Sequence, residues 1–338
     1  MSPDNSTSRI RLAVIGTGGM ARWHLQTILK QQATTGVVAL CEPAAGAYQA
    51  AAELFTQAGL TPPPQRLSVD EVIALDHPDA ALIVTPHVYH FPQATAFLTA
   101  GVDVLLEKPM TMNAAEAREL IAVRDRTGRL LSVAFNGSFS PQIRTAAGLL
   151  RDGKLGDLIA ISAEVWQEWG AMTRGTWRQD FAVSGGGFLF DTGAHMLNTV
   201  ADLAGQNVVG VSALVDYRGY PVETVSAVVA RLESGAMVTL TGVGDTPPGI
   251  VGSRVRVYGT QGVIETGIWG ERLMLQRAGR KRLQAVKVPA SLGVWEQFVQ
   301  VRAGLIPNPC PPEIGLRMIS FYDAIVASGQ QNGAWITI

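Results

Sequence analysis

The chain has 338 residues, more than one small core requires, so two domains of ordinary size or one large α/β domain are expected. Its 27 Lys+Arg against 28 Asp+Glu leave a formal net charge of −1, without the basic surplus that marks a nucleic-acid binder. With 47% hydrophobic and 16% charged residues the composition excludes a disordered chain, and no apolar run reaches the roughly 18 to 20 residues needed to cross a bilayer.

The opening residues Met1–Ser8 are polar, with neither an apolar stretch nor paired arginines, so no export signal and a cytoplasmic location are expected. Arg9–Ile15 then reads as a buried strand and Met20–Gln32 as a helix. Val37–Cys41 is a second strand, followed by the Ala-rich stretch Ala44–Ala58. Beyond the breaker Thr61-Pro62-Pro63-Pro64 come a short helix over Val69–Leu75 and a strand over Ala80–Val84. A helix over Phe91–Ala100, stopped by Gly101, precedes the strand Val102–Leu106. The helix Ala114–Arg126 and the strand Leu130–Phe135 close the series. Strands apolar on both faces and separated by single helices predict a parallel sheet with right-handed crossovers.

After Asn136 the pattern changes. A helix over Pro141–Arg151 is followed by alternating segments at Leu158–Trp166, Val208–Tyr217, Val222–Leu232, Ala236–Thr241, Val255–Tyr258, Gly262–Thr266 and Arg272–Gln276. Helices return at Trp295–Ala303 and Glu313–Ala327. This predicts an α+β domain on an open, largely antiparallel sheet. The division expected is 9–136 for a nucleotide-binding domain and 137–338 for a substrate-binding and oligomerisation domain. Cys41 and Cys310 are too few for a disulfide framework or a thiolate cluster and read as buried small residues.

Gly16-Thr17-Gly18-Gly19-Met20-Ala21 fits the pattern G-x-G-x-x-A between the first strand and its helix. Gly16 permits a tight turn, Gly18 lets the backbone approach a pyrophosphate, and the amides at the helix start face the anion. Glu42 ends the second strand, where a carboxylate accepts hydrogen bonds from an adenosine ribose. Pro43, Ala44 and Ala45 bring no cation for a 2′-phosphate, which favours NAD, with NADP as the alternative given Arg22 nearby. Ligands of open α/β sheets lie beyond the carboxyl ends of the strands. Those ends carry Thr85-Pro86-His87, with His90 the better candidate to line the cofactor cleft, and Glu107-Lys108-Pro109, where Pro109 permits a cis peptide. His87 and His90 lack the carboxylate or thiolate companions of a metal site, and none is expected.

In the second half, Gly185-Gly186-Gly187 precedes a helical stretch in which Asp191, His195, Asn198 and Asp202 fall on one stripe without Lys, Arg or Glu. An Asp one turn before a His can orient the ring and tune it as a general base, while Lys108 can stabilise charge on a reacting oxygen. The reading requires a lysine from the first half and an imidazole from the second to serve the same substrate atom. Trp177-Arg178, just upstream, are candidates to stack on a sugar ring and bond its hydroxyls or a carboxylate; core packing is the common alternative for a tryptophan.

From Ile10 through the C-terminal sheet the chain resembles the Gfo/Idh/MocA oxidoreductase family (glucose–fructose oxidoreductase, inositol dehydrogenase, rhizopine catabolism). The matching residues are the loop Gly16–Ala21 with His24, Thr85-Pro86 with His90, Glu107-Lys108-Pro109, and Gly185-Gly186-Gly187 with Asp191, Gly193 and His195. The fold so implied is an N-terminal Rossmann doubly wound parallel sheet with a C-terminal α+β domain. The resemblance implies hydride transfer between a nicotinamide cofactor and a hydroxyl or carbonyl of a sugar, cyclitol or related polyol. It implies a catalytic set of Lys108, Asp191 and His195; Asp191 and His195, with Trp177 and Arg178 from the reading above, are the residues expected to touch substrate. The cofactor contacts implied are Gly16, Thr17, Gly18, Gly19, Met20, Glu42, Thr85, Pro86, His90, Glu107 and Lys108. It further implies a homodimer or homotetramer packed through the C-terminal sheet; the charge balance and the absence of a long apolar run point to no nucleic-acid or membrane partner. Two positions depart from the family's frequent pattern: Glu42 stands where Asp is common, and Asn198 follows His195 by three where Asp is common. Two alternatives keep the fold, an NAD-dependent glycosidase with tightly held cofactor and a non-catalytic nucleotide-binding sensor.

Overall fold

The computed structural model describes residues 9–338; the Met1–Ser8 stretch, for which no export signal is expected, lies outside the described residues. Contacts divide the chain into two compact units that interleave along the sequence. One runs to Met110 and adds Arg118–Ala134 and Gly293–Pro312; the other comprises Thr111–Ala117, Phe135–Leu292 and Glu313–Ile338.

The first unit is built on six strands: β1 (Ile10–Ile15), β2 (Thr35–Cys41), β3 (Gln65–Arg66), β4 (Ala80–Ile83), β5 (Asp103–Leu106) and β6 (Leu131–Val133). All pair parallel in the order β3-β2-β1-β4-β5-β6. Direction of winding reverses between β1 and β4, and the carboxyl ends of these two strands flank the crevice that this topology opens. β4, β5 and β6 are buried at every position, as expected of strands covered on both faces. The two-residue β3 escapes the periodicity of the sequence because it is too short to show alternation. Gly293–Pro312 closes the far edge: the Val133 amide donates to the Cys310 carbonyl (2.9 Å), and Asn308 Nδ2 donates to Leu131 O (3.0 Å). Trp295 Nε1 also donates to Thr35 Oγ1 at 2.9 Å. Burial, with Glu42 and Glu71 nearby, pushes the Cys41 thiol up to about 11, so it remains a neutral core group.

The second unit carries β7 (Leu158–Trp166), β8 (Val208–Asp216), β9 (Val225–Leu232), β10 (Met237–Val243), β11 (Gly252–Gly259), β12 (Gly262–Thr266), β13 (Leu273–Arg277), β14 (Gln284–Ala285) and β15 (Ile336–Thr337). They form one sheet in the order β14-β13-β12-β11-β7-β10-β9-β8-β15, antiparallel throughout except for the parallel pair β7–β10. The edge strands β14 and β15 are again two residues long and invisible to sequence patterning. Strict alternation in β9 and β10 buries Val228, Ala230, Val238 and Leu240 while leaving Val229 and Met237 on the open face. The helix Gly193–Ala204 is sealed on nearly every side, and burial of Met196, Leu197, Val200 and Leu203 contributes about 2 kcal/mol each.

Candidate active site

In the first unit, Gly16 leaves β1 with φ +83°, and a Cβ there would stand 2.8 Å from the Val84 carbonyl oxygen. Only glycine meets both demands at low cost. Gly18 and Gly19 face open space, and the helix Gly19–Ile28 starts with no acidic residue in its first turn. Exposed amides at the start of a ten-residue helix, on a loop free of side chains, fit the pyrophosphate of a dinucleotide. Glu42 closes the loop from behind. Its Oε2 accepts from the Thr17 amide (3.0 Å) and hydroxyl (3.2 Å), and its Oε1 from the Ala44 amide (3.0 Å). Arg22 Nη1 donates to the Thr17 carbonyl (3.1 Å).

The ends of β4 and β5 are tied together by His90. This fully buried ring places Nδ1 2.8 Å from the Pro109 carbonyl and Nε2 2.9 Å from the Thr85 carbonyl. Burial lowers its pKa, outweighing the two carbonyls and Glu107, which favour the protonated form. His90 therefore fixes two backbone segments rather than presenting its ring to a ligand. Thr85 Oγ1 donates to Gln93 Oε1 at 2.7 Å. Glu107 is buried with Oε1 2.7 Å from His24 Nε2, and its Oε2 accepts the Lys108 amide at 3.1 Å. The Lys108–Pro109 peptide is cis.

The second unit brings together Asp191, His195, Trp177 and Arg178 with residues that sequence reasoning did not assign to the site. Asp191 Oδ2 accepts from the Trp169 indole (2.8 Å) and from Arg178 Nε (3.0 Å). The Arg178 guanidinium also lies over the Trp177 ring, 4.4 Å from its centroid, so that ring has one face covered from within the chain. One turn after Asp191 the buried His195 ring stands edge-on between Phe135 (centroids 6.0 Å) and Trp269 (5.9 Å). Asn198 Nδ2 donates to Ser138 Oγ (2.8 Å) and Asp202 Oδ2 (3.4 Å), and Asp202 is also paired with Arg317. The side chain of Asn198 is thus engaged in packing the helix. Trp169 carried a weak signal, a tryptophan three residues beyond the end of a strand. Glu223, which holds the Gly187 amide, carried only that of a lone acid between Val222 and Thr224. Among the described residues no group of three or more His, Cys, Asp or Glu side chains could hold a metal ion, and no helix is long and apolar enough to cross a membrane.

Residues 10–135 match the Gfo/Idh/MocA model of the oxidoreductase family with NAD-binding Rossmann fold, and residues 143–265 match the model of the Gfo/Idh/MocA C-terminal domain. The chain is 33% identical over 198 residues to trans-1,2-dihydrobenzene-1,2-diol dehydrogenase of Bos taurus, a match covering 55% of this chain and 54% of that protein. It is 26% identical over 311 residues to the rhizopine catabolism protein MocA of Rhizobium meliloti, covering 89% of each. Several of the curated relatives it matches are spanned over only about half their length. Among solved structures, the WlbA dehydrogenase from Bordetella pertussis in complex with NADH and UDP-GlcNAcA superposes with a TM-score of 0.85 at 20% identity, covering 98% of this chain and 99% of that one; this likeness is one of fold. The chain belongs to the Gfo/Idh/MocA oxidoreductase family.

Proposed function

We propose that this member of the family is an NAD-dependent oxidoreductase acting on a hydroxyl of a sugar, cyclitol or related polyol. The observation that carries the proposal is the cradle around Gly16–Met20: open glycines and helix-start amides for the pyrophosphate, with Glu42 behind them as ribose acceptor. A carboxylate there repels a 2′-phosphate, and Arg22 is engaged on the Thr17 carbonyl, so NAD is preferred over NADP.

When bound, the nicotinamide supplies the two-electron acceptor for a carbon-bound hydrogen. The chain's own residues supply the rest. His195 takes the proton of the reacting hydroxyl, and Asp191 orients the polar face on which that imidazole works. Lys108 is the residue of the first unit whose ammonium can steady negative charge on a reacting oxygen. Thr85, Pro86 and Glu107 shape the nicotinamide end of the cleft, with His90 holding their backbone in place. Arg178, stacked on Trp177, offers donors to substrate hydroxyls. The open sheet face, with Leu214, Val229 and Met237 all about half-exposed or more, supports a homodimer or homotetramer through this sheet. A cytoplasmic location fits the same reading.

The test is a thermal-shift screen of NAD and NADP with a sugar and cyclitol panel, followed by nicotinamide absorbance on the hits; ligands of the folded state raise the midpoint. NAD alone is expected to stabilise the protein, and one or more cyclic polyols to reduce it. Absence of turnover in either direction with both cofactors overturns the proposal, and release of an aglycone from a glycoside without net NADH selects glycosidase chemistry instead. Light scattering of Val229→Arg tests the assembly: a mass unchanged from wild type counts against the sheet interface.

A further inference from the structure

The turn Phe188–Asp191, which carries the candidate Asp191, follows three glycines that have no side chains to anchor it. The anchor comes from 36 positions away. Glu223 Oε2 accepts the Gly187 amide at 2.7 Å, and the Glu223 main-chain carbonyl accepts the Phe188 amide at 2.8 Å. The Gly187 carbonyl in turn accepts the Asp191 amide at 3.0 Å. Two successive hydrogen bonds therefore run from the Glu223 carboxyl to the Asp191 backbone. Tyr322 supports the carboxyl from behind, its hydroxyl donating to Oε1 at 3.3 Å and its ring lying 4.6 Å from that of Phe190. Neither Gly186 nor Gly187 has room for a Cβ. The first would overlap the Tyr322 hydroxyl, and the second the Glu223 carbonyl and carboxyl.

An apolar side chain of similar volume would fill this buried site without the desolvation that a carboxyl suffers. What an apolar residue lacks is an acceptor for the Gly187 amide. Burial pushes the Glu223 carboxyl up to about 7, against the pull of the Gly187 and Leu189 amides and the Tyr322 hydroxyl. A group kept at that cost is expected to do something a methyl group cannot.

We propose that Glu223, backed by Tyr322, is a positioning residue for the reaction: it sets the Gly187–Asp191 turn and thereby the direction in which Asp191 meets Trp169, Arg178 and the substrate. This rests on the reading of Asp191 as a catalytic residue. A displacement of about 1 Å at such a group can lower turnover on the order of a hundredfold.

The experiment compares Glu223→Ala, Glu223→Gln and Tyr322→Phe by two readouts. The first is kcat and KM for NAD and for a polyol that the wild type oxidises. The second is the indole 1H–15N resonance of Trp169, assigned by its loss in Trp169→Phe, which reports the bond to Asp191 without any turnover. Glu223→Ala is expected to lower kcat at least about tenfold, to leave KM for NAD within about twofold, and to move the Trp169 resonance. Glu223→Gln keeps an oxygen for the Gly187 amide and should restore both kcat, to within about threefold, and the resonance position. Tyr322→Phe is expected to show the same effects at smaller size, and stands in if Glu223→Ala does not fold. The proposal is overturned if kcat per folded molecule and the Trp169 resonance stay at wild-type values in Glu223→Ala, or in Tyr322→Phe where that variant stands in, whatever the loss of thermal midpoint. A wild type that oxidises no polyol sinks the proposed reaction instead, and the resonance still decides whether Glu223 sets the turn.

Discussion

In the parallel-sheet unit three of the candidate site residues are held by the main chain, whereas Glu107 and Thr85 also bond the side chains of His24 and Gln93. Glu42 is fixed by the amides of Thr17 and Ala44, His90 by the carbonyls of Thr85 and Pro109, and Gly16 by its own positive φ against Val84. In the antiparallel-sheet unit Asp191 is held mainly by side chains remote in sequence: Trp169, Arg178 and, through Gly187, Glu223. Main-chain bonds tolerate many sequences, so such a cradle can be kept while its surroundings vary. Side-chain bonds depend on residue identity at both ends. The contrast teaches that substitutions in the cradle of Gly16 and Glu42 should act on cofactor binding, and those around Asp191 on turnover.

His195→Ala gives the largest expected effect, a loss of about 10²- to 10⁴-fold in kcat with NAD-induced stabilisation retained. Initial rates beside a thermal-shift titration measure both, and a loss of NAD binding of the same size would break the contrast.

The next effect concerns stability. The folded-state pKa of Glu223, about 7, lies above the ordinary value of 4.5, so the folded protein keeps a proton that the unfolded chain has released. Its contribution is complete below about pH 4.5, declines as pH rises toward 7, and levels off above it, a span of about 3 kcal/mol. Denaturant unfolding of wild type and Glu223→Gln across this range should show the gap moving in favour of Gln as pH rises. A gap independent of pH would mean that the carboxyl is not buried as described.

Trp169→Phe removes one donor from the Asp191 carboxylate and should lower kcat about tenfold, the worth of a hydrogen bond to a charged group, without changing KM for NAD. The smallest effect is expected in the first unit. Glu42→Ala should weaken NAD binding by several-fold, up to about tenfold, and narrow the preference over NADP, with kcat at saturating NAD nearly unchanged. Calorimetric titration of the two cofactors checks this, and an unchanged ratio of affinities would remove Glu42 from cofactor choice.

The alternation of strands and helices from Arg9 to Phe135 was legible because every element but β3 is long enough to show its apolar pattern, and the boundaries agree to within a few residues. The glycine loop was legible because its first position, Gly16, combines a positive φ with a close approach to Val84 that only glycine meets. The stripe of Asp191 and His195 was legible because helical spacing places them one turn apart. By contrast β3, β14 and β15 have two residues each, and no period can be seen in two residues. The bond of Arg178 to Asp191 and its stacking on Trp177 had no signal in the sequence.

Backbone conformation and hydrophobic period are local properties, and the sequence by itself determined what depends on them: two kinds of sheet, the turn at Gly16, and a polar stripe along a helix. Which distant side chains complete that stripe depends on strand order and packing. Trp169 reaches Asp191, Glu223 reaches Gly187 and Tyr322 reaches Glu223 only because β7, β9 and the helix Pro312–Gln330 come together in three dimensions. A hydrogen bond between residues tens of positions apart has no period and no local signature, so only the tertiary structure could decide it.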